Sequence, residues 1–423
     1  MDNSECIKQL MQRNIVVAIG CTEPVAVALA VAKTKEILGE EILSIRLELS
    51  KNIIKNAMGV GIPGTGMIGL PIAVALGVVC GDSTKQLQVL EHAKDNIEQA
   101  KDWLAANTVD IFPAKTDEKL FIRCNAKGKT SSATVTIARL HTHFVHLEKD
   151  DNVLLHEELS ATEDNSCKKE VQTILNQRII WDYATKEPIE NIAWIEDTVK
   201  LNSKCSEESL KGEYGLQIGK KLFNHGDKSL RSEIIARTCA ASDARMDGIT
   251  LPIYSNSGSG NQGITCTLPV YYYGILTNSS HTQIIRALTL SHLTSIYIKS
   301  KIGRLSALCG IVNASMGAAS GITLLAGGSF DQMCYTINNM TNTITGMVCD
   351  GAKPSCALKI SAALNSAFDS VMLAMNGIVV DATDGIAETN IDNTIEDIGK
   401  LGRYGMNAID DLILEIMTHK NCK

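Results

Sequence analysis

The sequence predicts an α+β fold: an N-terminal α/β domain with an antiparallel sheet over residues 1–165, a helical connector at 166–209, and a C-terminal all-helical domain at 210–423. Three observations predict it. From Ile42 to Ser50 apolar and polar residues alternate, with Ile45, Leu47 and Leu49 on one side and Ser44, Arg46 and Glu48 on the other, which is the period of a half-buried strand. From about residue 157 to 210 the chain turns polar, with Glu-Glu, Lys-Lys and Glu-Asp runs that suit solvated helices. From Leu210 onward helical periodicity dominates and no convincing alternating strand occurs. With 423 residues, 45% of them hydrophobic, the chain can bury cores of this kind.

Ser4 to Ile19 reads as a helix stopped by Gly20, and a second helix starts a few residues later with Pro24 in its first turn. Between them lies Cys21-Thr22-Glu23. A thiol just ahead of a helix N-terminus feels the positive end of the helix dipole, which lowers its pKa and favours a thiolate. The other reading packs Cys21 beneath a cap made by Thr22 or Glu23. After the strand come Asn52-Ile-Ile-Lys55-Asn56 and Gly59-Val-Gly-Ile-Pro-Gly-Thr-Gly66, ahead of an apolar helix from Met67 to Val79. The amides of such a loop can wrap an anion, so Gly64, Thr65 and Gly66 are candidate binders. Neither a Walker nor a Rossmann fingerprint is present, which favours a carboxylate over a nucleotide phosphate.

A polar helix is expected around Thr84 to Ala106. Strand-like segments follow at Leu120 to Cys124, Ala133 to Leu140 and Phe144 to Leu147, an antiparallel meander. His141, His143 and His146 read as surface histidines, because no cysteine or carboxylate cluster completes a metal site around them.

In the second half, Asn256-Ser-Gly-Ser-Gly-Asn-Gln-Gly263 is a polar loop before an apolar segment. Asn256, Ser257, Gly258, Ser259 and Asn261 offer hydroxyls, amides and open N–H groups suited to a small zwitterion; a plain interhelical connection is the alternative. Cys309 lies in a run of small residues, Leu308 to Gly321. Cys349 and Cys356 stand across a turn, since Asp350-Gly351 and Pro354 break the helical pattern and let both thiols face one point. Three soft ligands from two segments suggest a metal or cluster site, and three small buried hydrophobes are the other reading.

Composition narrows the function classes. The N-terminus has no basic segment followed by an apolar run, so no signal peptide is read and a cytoplasmic location is expected. Thirteen irregularly spaced cysteines then argue for free thiols rather than a disulfide framework. A net charge of −7 with scattered lysines gives no basic stripe for nucleic acid. Leu305 to Phe330 is uncharged and long enough to span a bilayer, but it is rich in Gly, Ala, Ser and Thr and lacks an aromatic belt, so a buried helix and no membrane partner are expected. The two-domain design and apolar helices are compatible with a homodimer.

The order Asn256 to Gly263, then Cys309-Gly310, then Cys349-Asp350-Gly351 with Pro354 and Cys356, resembles the alpha domain of the iron-sulfur L-serine dehydratases. Gly20-Cys-Thr-Glu-Pro24 and the run from Asn52 to Gly66 look more specifically like the L-cysteine desulfidase branch, and the resemblance covers nearly the whole chain. It implies a 4Fe-4S cluster instead of pyridoxal phosphate, with Cys309, Cys349 and Cys356 at the cluster-cysteine positions of a cluster-binding helical domain. An iron not ligated by cysteine would take the leaving group. The Ser-Ser-His-Thr motif of the serine dehydratases is absent and Cys21-Thr22-Glu23-Pro24 stands in its place, which puts serine in doubt as substrate. The expected activity is β-elimination of L-cysteine to sulfide, ammonia and pyruvate, with a small amino acid as the partner. Asn56 and the two glycine-rich loops would bind it. Cys21 is then a base or a resting ligand of the cluster, and Glu23 and Lys55 are acid–base or orienting candidates. L-serine dehydration is the rival within the class; a non-enzymatic thiol or metal sensor is the rival outside it.

Overall fold

A computed structural model of the chain describes residues 3–159, 175–303 and 305–419. In chain order its first part comprises α1 (Asn3–Asn14), β1 (Val17–Ala18), α2 (Thr22–Leu38), β2 (Ser44–Leu49), α3 (Lys51–Ala57), α4 (Leu70–Val79), α5 (Ile97–Ala106), β3 (Thr108–Pro113), β4 (Phe121–Lys127), β5 (Ser132–Ala138), β6 (Phe144–Lys149) and β7 (Asn152–His156). The remainder comprises α6 (Gln177–Lys186), α7 (Ile189–Ile192), α8 (Glu196–Lys211), α9 (Ile218–His225), α10 (Leu230–Met246), β8 (Ile253–Tyr254), α11 (Gly260–Leu276), α12 (His281–Ile302), α13 (Gly310–Leu325), α14 (Phe330–Ile344), α15 (Cys356–Met375), α16 (Ile391–Lys400) and α17 (Asn407–Thr418). The chain is thus mixed α+β, with its main sheet in the N-terminal part and a helical C-terminal part.

Six strands form the main sheet in the order β3-β2-β4-β5-β6-β7. The meander pairs antiparallel as expected, but β3 runs parallel to β2, so the sheet is mixed rather than antiparallel. A parallel pair needs a crossover, and α3, α4 and α5 supply it between β2 and β3. The alternation in β2 turns Ile45, Leu47 and Leu49 toward α2 and α4, and those helices bury nearly all of their length against the sheet and each other.

Several expected boundaries move for tertiary reasons. The first helix ends at Asn14 rather than running to Ile19, because Val17 and Ala18 pair with Tyr254 and Ile253. The second half therefore does contain a short strand. Ile7, Leu10 and Met11 of α1, with Ile15 just after it, belong to the core of the helical part, so the chain starts there before α2 enters the sheet region. The polar helix expected from Thr84 is α-helical only from Ile97, after two 3-10 turns. The helix expected from Met67 begins at Leu70, with Pro71 in its first turn. Part of the expected connector lies outside the described residues. Its helices α6 to α8 are not simply solvated: Ile180, Ala184, Ile192 and Val199 enter the helical core.

At the centre of the helical part, α13 is buried from Ile311 to Thr323. Its small residues allow close approach to α12: a Cβ on Gly317 would lie 2.3 Å from the Ser291 carbonyl oxygen. Among the described residues no helix is long and apolar enough to cross a membrane, and no cysteine is in a disulfide.

Candidate active site

The two cysteine segments are brought together by the backbone. Leu308 bridges Val348, the Cys309 N–H donates to the Met347 carbonyl at 3.0 Å, and the Cys349 N–H donates to the Ala307 carbonyl at 2.6 Å. Cys309 thereby caps α13 while Cys349 lies opposite it, and Cys356 opens α15. Gly351, at φ +99°, makes the turn between the latter two. A Cβ there would lie 2.3 Å from the Lys55 carbonyl oxygen, so only glycine lets this turn close on α3. Asp350 pairs with Lys353 and Lys359 and pins the turn from outside.

Cys309, Cys349 and Cys356 line one cavity of about 90 Å³ together with Cys21, Glu23, Asn56, Ser257, Gly258, Ser259 and Asn261. The Cys349 thiol is drawn below its ordinary value, first by the hydrogen bond it receives from Cys309 and, against the cost of burial, by Lys55, the Gly351 N–H and Lys359. Cys309 is correspondingly pushed up, by that same bond and then by burial.

Cys21 caps α2 with extended backbone, as its place before the helix suggested, but it is fully buried. Burial pushes its thiol up to about 12; Arg245 beside it acts downward and Glu23 upward. The lowered pKa expected from the helix dipole is overturned, because loss of hydration outweighs the partial charge of a helix end. Glu23 is held by the Asn56 amide at 3.0 Å and lies 3.1 Å from the Thr22 hydroxyl, which is also 2.9 Å from the Gly258 carbonyl. The start of α2 is thus tied to the polar loop of the helical part.

That loop is a tight turn. Asn256 and Ser259 exchange backbone hydrogen bonds at 3.0 Å across Ser257 and Gly258, both at positive φ. Asn256 does not face the cavity. Its amide donates to His292 Nδ1 at 3.1 Å, and His292 Nε2 lies 3.0 Å from the Thr267 hydroxyl. This network assigns the neutral Nε2–H tautomer, and burial lowers the His292 pKa to about 3.

Three further expected residues lie away from the cavity wall. Gly64 donates its N–H to the Gly248 carbonyl at 2.8 Å, and Thr65 closes on Ile62 and Met67. Gly66, at φ +63°, belongs to the same turn. The expected convergence of two glycine-rich loops on one cleft does not occur: the first loop packs on the turn that follows α10. Lys55 is buried too, but its ammonium is held by Asp410 of α17 at 2.5 Å and it does not line the cavity.

Sequence reasoning missed Arg245, at the end of α10, and misread His141. Both line the cavity. His141 is 5% exposed because the turn between β5 and β6 folds over the site, so it is not a surface histidine.

Among the described residues no three His, Cys, Asp or Glu side chains converge closely enough for a single metal ion. Four thiols spaced around one cavity form instead a soft donor set that fits a polynuclear iron-sulfur group.

Residues 84–415 match the serine dehydratase alpha chain family, a class of protein that this thiol-bearing helical part fits. A UPF0597 protein of Phocaeicola vulgatus is 47% identical, over 99% of this chain and 98% of its own length. A UPF0597 protein of Bacteroides fragilis is 46% identical over 98% of this chain and 97% of its own, and one of Clostridium perfringens 41% identical over 98% of each. The chain belongs to the serine dehydratase alpha chain family.

Proposed function

We propose that this chain is an iron-sulfur lyase that β-eliminates L-cysteine to sulfide, ammonia and pyruvate, without pyridoxal phosphate. The observation that carries the reading is the meeting of Cys309, Cys349, Cys356 and Cys21 with the Ser257–Asn261 loop around one cavity. Cys309, Cys349 and Cys356 would hold a 4Fe-4S cluster. When bound, the cluster supplies a Lewis-acidic iron with an open position, soft enough to accept a thiolate leaving group.

The chain's own residues supply the rest. The hydroxyls of Ser257 and Ser259 and the turn's backbone offer hydrogen bonds to a substrate held against the thiols, and Asn261, its side chain held by Ser242 and Met246, completes that wall. A base takes the Cα proton, the C–H electron pair becomes the Cα–Cβ double bond, and the Cβ–S pair leaves with sulfur as sulfide. The aminoacrylate so formed tautomerises to the imine, and water hydrolyses it to pyruvate and ammonia. Cys21 is in place as a resting ligand that substrate displaces; acting instead as the base would require Arg245 beside it to hold the buried thiol as a thiolate against the desolvation that raises it. Lys55 is left out of the proton transfers because Asp410 holds its ammonium.

The family description favours L-serine as the second reading. The test is anaerobic incubation of the iron-loaded chain with each amino acid, measuring sulfide and pyruvate. Faster pyruvate from L-cysteine, with equimolar sulfide, supports the first reading, and faster pyruvate from L-serine transfers the site to the second. Absence of product from both sinks the lyase assignment.

A further inference from the structure

We infer that Arg245 and Glu23 form the charge pair that reads an α-amino acid in this cavity, Arg245 taking the carboxylate and Glu23 the ammonium; this rests on the proposed reading of the cavity as a substrate site. Arg245 is 4% exposed and lines the cavity. Its Nη2 donates to the Gly20 carbonyl at 3.2 Å, and its Nε has no hydrogen-bond partner among the described residues. The Cys21 thiol is a further neighbour. A buried guanidinium is stable when a counter-charge accompanies it, yet no carboxylate of the described residues forms an ion pair with it. Glu23, 9% exposed, lines the same cavity, and its oxygens are engaged by Asn56 and Thr22 rather than by a cation. A carboxylate offers about four acceptor sites, so Glu23 retains capacity for an ammonium. Lys299, the lysine of the cavity wall, already has a partner. A cation and an anion that share a small cavity without neutralising each other are complementary to a zwitterion.

The surrounding backbone is shaped to hold Arg245 there. A Cβ on Gly260 would lie 2.0 Å from the Arg245 Nε and 2.6 Å from its Cζ, so the absence of a side chain at residue 260 leaves the guanidinium its present place against the start of α11. The turn that ends α10 is gripped by the first glycine-rich loop. A Cβ on Gly61 would lie 2.5 Å from the Asp247 carbonyl oxygen, and the Gly64 N–H bonds Gly248. The loop therefore contributes to substrate recognition indirectly, by fixing the helix end that carries the arginine.

The test uses ligands that cannot eliminate, measured by calorimetry on the full chain: L-alanine, L-alaninamide, which lacks the carboxylate, and propionate, which lacks the amine. Wild type should prefer L-alanine over the amide by roughly tenfold to a hundredfold, the range of hydrogen bonds to a charged group. Arg245→Gln should abolish that preference and Arg245→Lys should keep part of it. Glu23→Gln should abolish the preference for L-alanine over propionate. With L-cysteine as substrate, Arg245→Gln should raise KM by a similar factor and lower kcat less. Gly260→Ala, which leaves the charge but displaces the guanidinium, provides the same readout should Arg245→Gln fail to fold. Wild type binding L-alanine and its amide equally, or binding neither, overturns the proposal, as does an Arg245→Gln variant with the preference intact. If wild type discriminates through Arg245 but releases no sulfide, the anchor stands and the lyase reading fails. Sulfide release without discrimination upholds the lyase and removes the anchor.

Discussion

Replacing Lys55 with Met should destabilise the fold rather than disable the chemistry directly. Lys55 and Asp410 are 1% and 5% exposed, and their ion pair joins α3 to α17. The second oxygen of Asp410 has no hydrogen-bond partner among the described residues, so the ammonium is what compensates the carboxylate. Removing one partner from such a pair costs about 3–5 kcal/mol, because an uncompensated charge stays buried. The neighbouring pair between the same two helices, Lys51 and Asp411, is 49% and 60% exposed and is worth about 0–1 kcal/mol. Urea unfolding followed by circular dichroism should therefore show a large loss for Lys55→Met and almost none for Lys51→Met. The double variant Lys55→Met/Asp410→Leu should recover most of the loss, since no orphaned charge remains. A Lys55→Met protein of wild-type stability that has lost turnover would refute this reasoning and return Lys55 to the reaction.

Cys309→Ala, Cys349→Ala and Cys356→Ala should each lose most bound iron, measured after anaerobic isolation; full iron in one variant would remove that residue from the ligand set. Cys21→Ser should lose most sulfide release. An unchanged visible spectrum in that variant supports the base role, an altered one supports the resting ligand, and near-normal turnover contradicts both. His292 has a folded pKa depressed from 6.5 to about 3, so its contribution is complete above pH 6.5 and is lost as pH falls toward 3. The slope is about 1.4 kcal/mol per pH unit, or about 2 kcal/mol lost by pH 5. His292→Gln should lose less stability than wild type between pH 7 and 5, and equal losses would contradict the buried neutral histidine.

The parts legible in the sequence are those fixed by local pattern. The strand Ser44–Leu49 is readable because one of its faces is buried and the other polar. Edge strand β3 alternates only over Thr108 to Ile111, with Val109 and Ile111 no more than half-buried, so its signal is weak. The pairing of Val17-Ala18 with Ile253-Tyr254 joins residues far apart in sequence and leaves no periodic signal. The cysteine trio is visible through its turn residues, whereas Arg245 looks like an ordinary helix-terminal cation until the fold packs it against Gly260 at the start of α11. Gly64 to Gly66 mislead because a glycine run that wraps an anion and one that packs against a backbone turn have the same composition. Cys21 shows the remaining limit: its position at a helix start is local, but the desolvation that governs its thiol is set by the whole fold.

The most direct test of the central claim, that the thiol-lined cavity holds an iron-sulfur cluster, is quantitation of iron and acid-labile sulfide in the anaerobically isolated chain. Equal amounts are expected, about four of each per chain as a 4Fe-4S cluster requires. A folded chain that carries zinc, or that takes up neither iron nor sulfide on reconstitution, would contradict it.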